Sequence, residues 1–175
     1  MSESQWVYLM RGLPSCGKSH TARRLVGDSG LVCETDEYFL TEVGDDPEKF
    51  DYRDDLMERA RKWNFDRFKF AIAQGLSPIV VDRGNSLSLS SQVYVRYASE
   101  HGYEVRLCEP ESEWWQEIRV LLKNKDLTWP VLEKWAGVLA KWNQETHRVP
   151  LEDILRRMKN WKHGLTVKDI LKYRI

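Results

Sequence analysis

Residues Gly12-Leu13-Pro14-Ser15-Cys16-Gly17-Lys18-Ser19 carry the spacing G-x-x-x-x-G-K-[ST] at every required position. A loop of this kind wraps phosphates with successive backbone N–H groups, and the helix that follows adds its partial positive charge. Lys18 is placed to reach the β- and γ-phosphates and Ser19 to offer its hydroxyl to magnesium, with nucleotide contact expected to extend to His20. The competing readings are a glycine-rich turn that matches by accident and a degenerate loop that binds nucleotide without chemistry. Ser15 stands where such loops often carry glycine, which costs backbone freedom. Cys16 reads as a small loop residue, or as a thiol whose pKa is lowered at a helix N-terminus and which is therefore open to alkylation.

Phosphoryl transfer to an alcohol needs a base near the acceptor hydroxyl, and a carboxylate suffices when deprotonation is late. Asp36 is the first choice and Glu37 the second, since both follow a short apolar run whose carboxyl end faces the side where ligands collect. Asp36 has a second reading as the N-cap of a short helix, and the two roles are compatible. Asp82, directly after Ile79-Val80-Val81, has the pattern of the acidic residue that holds magnesium, directly or through water. Its plainer reading is a turn aspartate at a strand end.

The elements that must position these groups follow from the spacing. Gln5 to Arg11 reads as a strand, Lys18 to Val26 as a helix and Leu31 to Thr35 as a second strand. Asp51 to Gln74 lacks proline and glycine and repeats apolar residues at helical intervals, so it predicts the longest helix, stopped by Gly75. Ile79 to Val81 is the third strand, Ser90 to His101 a helix, and Tyr103 to Cys108 the fourth strand. Strands alternating with helices imply an α/β fold of three layers, a parallel sheet of four to five strands with helices on both faces. Beyond Pro110 the chain turns helical and tryptophan-rich, which predicts a lid over about residues 111–149, followed by helices at Pro150 to Trp161 and Thr166 to Lys172.

With 175 residues, 42% apolar and 31% charged, the chain suits one folded domain over residues 1–175 that needs no staple. Its net charge is zero, which gives no general attraction to nucleic acid or membrane. The local balance is uneven. Glu34 to Glu58 holds 11 acidic and 2 basic residues, whereas Lys141 to Ile175 holds 9 basic and 4 acidic ones. Three cysteines without C-x-x-C spacing fit a reducing compartment, the cytoplasm by default, and no apolar run approaches the length that spans a bilayer. A monomer is the default state.

Taken together, Gly12 to Ser19, Thr35-Asp36-Glu37-Tyr38, Trp63-Asn64, Ala73 to Asn85, Gly102 to Pro110 and Asn143 to Pro150 resemble the polynucleotide 5′-hydroxyl kinase-like branch of P-loop kinases. These are also described as ATP-binding AAA-type domain proteins, and the zeta-toxin-like kinases are relatives. The resemblance implies ATP and Mg²⁺ as cofactors, Asp36 as general base, and a lid that supplies arginines to the ATP phosphates. The family places an arginine directly before the asparagine matching Asn143, but Trp142 stands there. Arg148 or Lys141 must then take its part, with His147 behind them; the plainer reading of Arg148 is a solvated charge before a helix. A second departure is Phe39, where the family carries an arginine that holds acceptor phosphate.

The expected function is therefore ATP- and magnesium-dependent transfer to a hydroxyl, on a nucleic-acid 5′ end or a small metabolite. The acidic segment around the acceptor side disfavours a polyanion. An alternative is a catalytically weak nucleotide-binding module that grips another protein through the tryptophans of residues 111–142, although aromatic residues at helical spacing are more often core. A third reading, nucleic-acid binding through Arg156, Arg157, Lys159, Lys162 and Lys168, competes with an ordinary mixed helix surface.

Overall fold

Four short apolar runs, each too short to shield itself, line up side by side in one parallel sheet. The computed structural model describes residues 3–42, 54–144 and 146–175, without the side chains of residues 54 and 55. The strands are β1 (Trp6–Met10), β2 (Leu31–Cys33), β3 (Ile79–Val81) and β4 (Glu104–Cys108), in the order β2-β3-β1-β4. All neighbours are parallel, with Tyr8 opposite Val80 on one side and Arg106 on the other. The inner strands β1 and β3 are apolar on both faces, as a sheet covered from both sides requires.

One face is covered by α3 (Asp54–Ala73), α4 (Leu89–Glu100) and α8 (Val167–Lys172). Phe68, Tyr94 and Ile170 meet Val7, Leu9 and Ile79 there, and Phe68 and Tyr94 cross edge-on at 4.9 Å. The opposite face is covered by α1 (Lys18–Val26), whose Ala22 packs against Met10 and Val80. The long helix begins, among the described residues, at Asp54; residues 51–53 of the expected helix lie outside them. Gly75, at φ +70°, stops it as the sequence predicts, and the Leu76 N–H returns to the Ala71 carbonyl at 3.1 Å.

The segment after β4 forms a second core. It contains α5 (Glu113–Leu121), a 3₁₀ turn (Leu122–Asn124), α6 (Lys125–Trp142) and, after a turn, α7 (Leu151–Lys159). Trp115, Ile118, Leu132, Leu139, Ile154 and Met158 are fully buried together. Leu13 and Cys16 of the glycine-rich loop belong to this same cluster, so the expected lid is in large part a wall packed against the loop. The strand order reverses direction between β1 and β3. Their carboxyl ends therefore open onto a crevice of the kind in which α/β sheets bind ligands.

Candidate active site

The loop after β1 is held by its own backbone and by a brace from the segment that follows the neighbouring strand β4. Gly17 lies at φ +92° and Ser15 at +62°, a left-handed conformation that costs a side chain about 1 kcal/mol. The Ser112 hydroxyl does two jobs: it accepts from the Trp115 N–H at 3.2 Å to cap α5, and donates to the Cys16 carbonyl at 2.7 Å. The Trp114 indole N–H donates to the Ser15 carbonyl at 3.0 Å. A methyl group on Gly12 would meet Cγ and Cδ of Pro110 at 2.9 Å, so only glycine fits. Leu13 and Pro14 are buried beneath the loop, and His20 stands exposed at its rim.

Lys18 curls back to donate from Nζ to the Gly12 and Leu13 carbonyls at 3.1 and 3.0 Å. Burial lowers its pKa, and the nearby Asp82 carboxylate works against that. Ser19 Oγ donates to Asp82 Oδ2 at 2.7 Å across the two inner strand ends. Cys16 is a small buried loop residue; burial pushes its thiol up to about 12, so the alternative of a lowered pKa and an alkylation-prone thiol does not hold.

Across the cleft, α2 (Glu37–Thr41) starts directly after Asp36, yet the Asp36 side chain accepts no cap hydrogen bond from it. It is turned instead to His147, whose Nδ1 lies 3.0 Å from Asp36 Oδ2. Glu34 completes a trio whose nitrogen and oxygen atoms lie within 4.8 Å of one another. The hydrogen bond to Asp36, above all, raises the His147 pKa against the effect of burial. The Glu34 carboxyl is pushed up to about 7, first by burial and then by Asp82 and Asp36. Glu37 is engaged elsewhere, accepting from Arg67 at 2.7 Å, and that guanidinium lies over the Trp63 ring at 4.6 Å.

The turn after α6 is built on buried Asn143. Its backbone carbonyl accepts from the Arg148 N–H at 2.8 Å and its side-chain oxygen from the Val149 N–H at 3.2 Å. Arg148 itself sits at φ +50°. His147 and Val149 line the cleft, whereas Arg148 and Lys141 are exposed and do not. The cleft wall instead carries Lys18 and six arginines, Arg11, Arg23, Arg61, Arg83, Arg156 and Arg157. Burial pulls Arg11 down to about 10, with Glu109 opposing, and its guanidinium stacks 3.8 Å from the centre of the Trp161 ring.

One cleft of about 740 Å³ thus holds the glycine-rich loop, Asp36 and Asp82, a size that suits a nucleotide with part of an acceptor. Sequence spacing missed Glu34, Arg61 and the cleft position of Arg157, and offered His147 only as the last substitute for a lid arginine, not as a partner of Asp36. Glu34 alone left a signal, two residues before Asp36 at the end of the same apolar run. The donor set fits magnesium at one place: Ser19 and Asp82 bring two hard oxygens together beside the phosphate loop. The Glu34–Asp36–His147 trio fits it poorly, since a histidine whose pKa is raised holds its proton rather than a metal.

Fold and site together define a P-loop kinase-like nucleotide-binding domain. Residues 7–119 match the family model described as "AAA domain". The chain belongs to that family. It is 30% identical over 167 residues to human NEDD4-binding protein 2, covering 94% of this chain and 8% of that protein. It is 29% identical over 128 residues to human YLP motif-containing protein 1, covering 61% of this chain and 6% of that one. The chain therefore spans less than a tenth of the length of either relative. Among solved structures, the "Structure of the Pnkp1/Rnl/Hen1 RNA repair complex" contains a chain of like fold, with a TM-score of 0.57 and 18% identity over 91% of this chain and 44% of that one. Among the described residues no helix is long and apolar enough to cross a membrane.

Proposed function

We propose that this domain uses ATP and magnesium to phosphorylate a hydroxyl group. The observation that carries the reading is the placing of Asp36 on the same cleft as Gly12 to Ser19, its carboxylate turned away from the helix it precedes. The acceptor oxygen attacks the γ-phosphorus, its proton passes to an Asp36 carboxylate oxygen, and the bond to the β-phosphate oxygen breaks to release ADP. Successive loop N–H groups and Lys18 hold the β- and γ-phosphates. Magnesium, held by Ser19 and Asp82, supplies charge neutralisation on the phosphate oxygens when bound. Arg157 and Arg156 offer the positive charge that Arg148 and Lys141, outside the cleft, do not.

The acceptor is a nucleic-acid 5′-hydroxyl end or a small metabolite. The cationic wall makes a phosphate-bearing acceptor more favourable than the acidic sequence between Glu34 and Glu58 suggests. The protein-binding alternative rests on the tryptophans of residues 111–142; of these Trp115 is fully buried, Trp114, Trp129 and Trp135 pack against the same core, and Trp142 is half exposed. Three free cysteines support a reducing compartment such as the cytoplasm, and a monomer remains the simplest state. The test is magnesium-dependent transfer from γ-labelled ATP to oligonucleotides, nucleosides and sugars. Transfer that Asp36→Asn abolishes is expected; ATP binding with no transfer to any acceptor sinks the reading.

A further inference from the structure

We propose that His147 is a positioning residue for the base Asp36, so that the turn closing the helical wall carries the group that orients the reacting carboxylate. This rests on the kinase reading above and adds to it a residue whose role neither loop motif nor charge pattern indicates. Three observations carry it. His147 Nδ1 lies 3.0 Å from Asp36 Oδ2, hydrogen-bond geometry for a charge-assisted pair. The turn that holds His147 is itself fixed, by two hydrogen bonds from Arg148 and Val149 back to the fully buried Asn143. Finally, the hydrogen bond that Asp36 would otherwise use as a helix cap is absent, so its side chain does not take its orientation from the start of α2.

A carboxylate on a single Cβ rotates about two torsions, and proton abstraction needs one oxygen aimed at the acceptor hydroxyl. A hydrogen bond to Oδ2 from a separately anchored ring removes that freedom. The charged groups that face the imidazole are Asp36 and Glu34 from the end of β2 and Lys18 from α1. The two carboxylates favour the imidazolium and the ammonium disfavours it, with Asp36 the larger influence. The imidazole is therefore fully protonated below the ordinary histidine pKa of about 6.5, and its charge is lost as pH rises through the higher value of the folded protein. The arrangement also joins two distant parts of the chain, the end of β2 and the turn after α6.

Two measurements separate this from a merely structural latch. The first needs no turnover: NMR titration of the histidine side chains in the full chain. His147 is expected to titrate above the ordinary histidine value of about 6.5 and to fall toward it in Asp36→Asn. An ordinary midpoint that Asp36→Asn leaves unmoved overturns the proposal whatever the activity. The second is steady-state transfer with His147→Ala, His147→Asn and His147→Gln. His147→Ala should lower kcat at least tenfold with little change in the KM for ATP. His147→Asn, whose amide nitrogen falls where Nδ1 was, should restore most of the rate and flatten the alkaline limb of the pH profile. His147→Gln should not. Wild-type kcat and pH profile in His147→Ala leave the kinase standing and sink the positioning role. Absence of transfer from wild type to every acceptor sinks both.

Discussion

The two walls of the cleft are built on opposite principles. The phosphate side is a contiguous stretch of eight residues whose shape is imposed by backbone conformation, by Leu13 and Cys16 in a packed core, and by the braces from Ser112 and Trp114. The acceptor side is assembled from side chains far apart in sequence, Glu34 and Asp36 after β2 and His147 after α6, and is held by charge. A wall made from backbone tolerates little change at any residue but depends weakly on pH. A wall made from titrating side chains should be the reverse. Anything that perturbs the first ought to appear as lost nucleotide binding or lost stability, and anything that perturbs the second as altered pH dependence.

The sharpest way to break that contrast is Lys18→Ala, expected to reduce transfer on the order of a thousandfold, as removal of a positioned charge at a phosphoryl centre does. A loss below about tenfold in single-turnover assays would mean the loop is not the catalytic wall. Next, Trp115→Ala should cost about 3–5 kcal/mol in urea unfolding, because it empties the centre of the core on which the loop rests. ATP affinity should fall with it if the brace matters. Third, Glu34→Gln tests the titrating wall. A carboxyl whose folded pKa is raised to about 7 destabilises the fold progressively as pH climbs from the ordinary carboxylate range through that value. The variant should therefore gain Tm over wild type at pH 8 and lose the advantage near pH 4. Equal differences at both pH values would show that Glu34 is not the titrating group. Smallest is Ser15→Gly, which relieves a left-handed serine and should stabilise the domain by up to about 1 kcal/mol.

What could be read from the sequence follows the same division. The loop, the strand end at Asp82 and the helix stop at Gly75 are legible because each rests on contiguous spacing or on one residue's backbone chemistry. β2 ends at Cys33 rather than Thr35, short enough that propensity alone extends it too far. The lid was the hard case. Arg148 and His147 are neighbours with opposite outcomes, and what separates them is a left-handed turn locked by Asn143, a feature no propensity for arginine predicts. The Asp36 to His147 pairing spans more than a hundred residues, so it exists only once the helical wall has packed.

The close approach of Pro110 to Gly12 bears on how chains of this kind diverge. Position 12 is constrained twice, by the phosphate that must approach its backbone and by a proline ring ninety-eight positions away that leaves no room for a methyl group. A descendant that abandoned nucleotide altogether would still be obliged to keep this glycine until position 110 had changed first. The persistence of the glycine in a decayed copy is thus no sign of surviving activity. Lys18 and Asp36, whose side chains lie outside the packed apolar cluster beneath the loop, are the residues whose loss would mark the change of role.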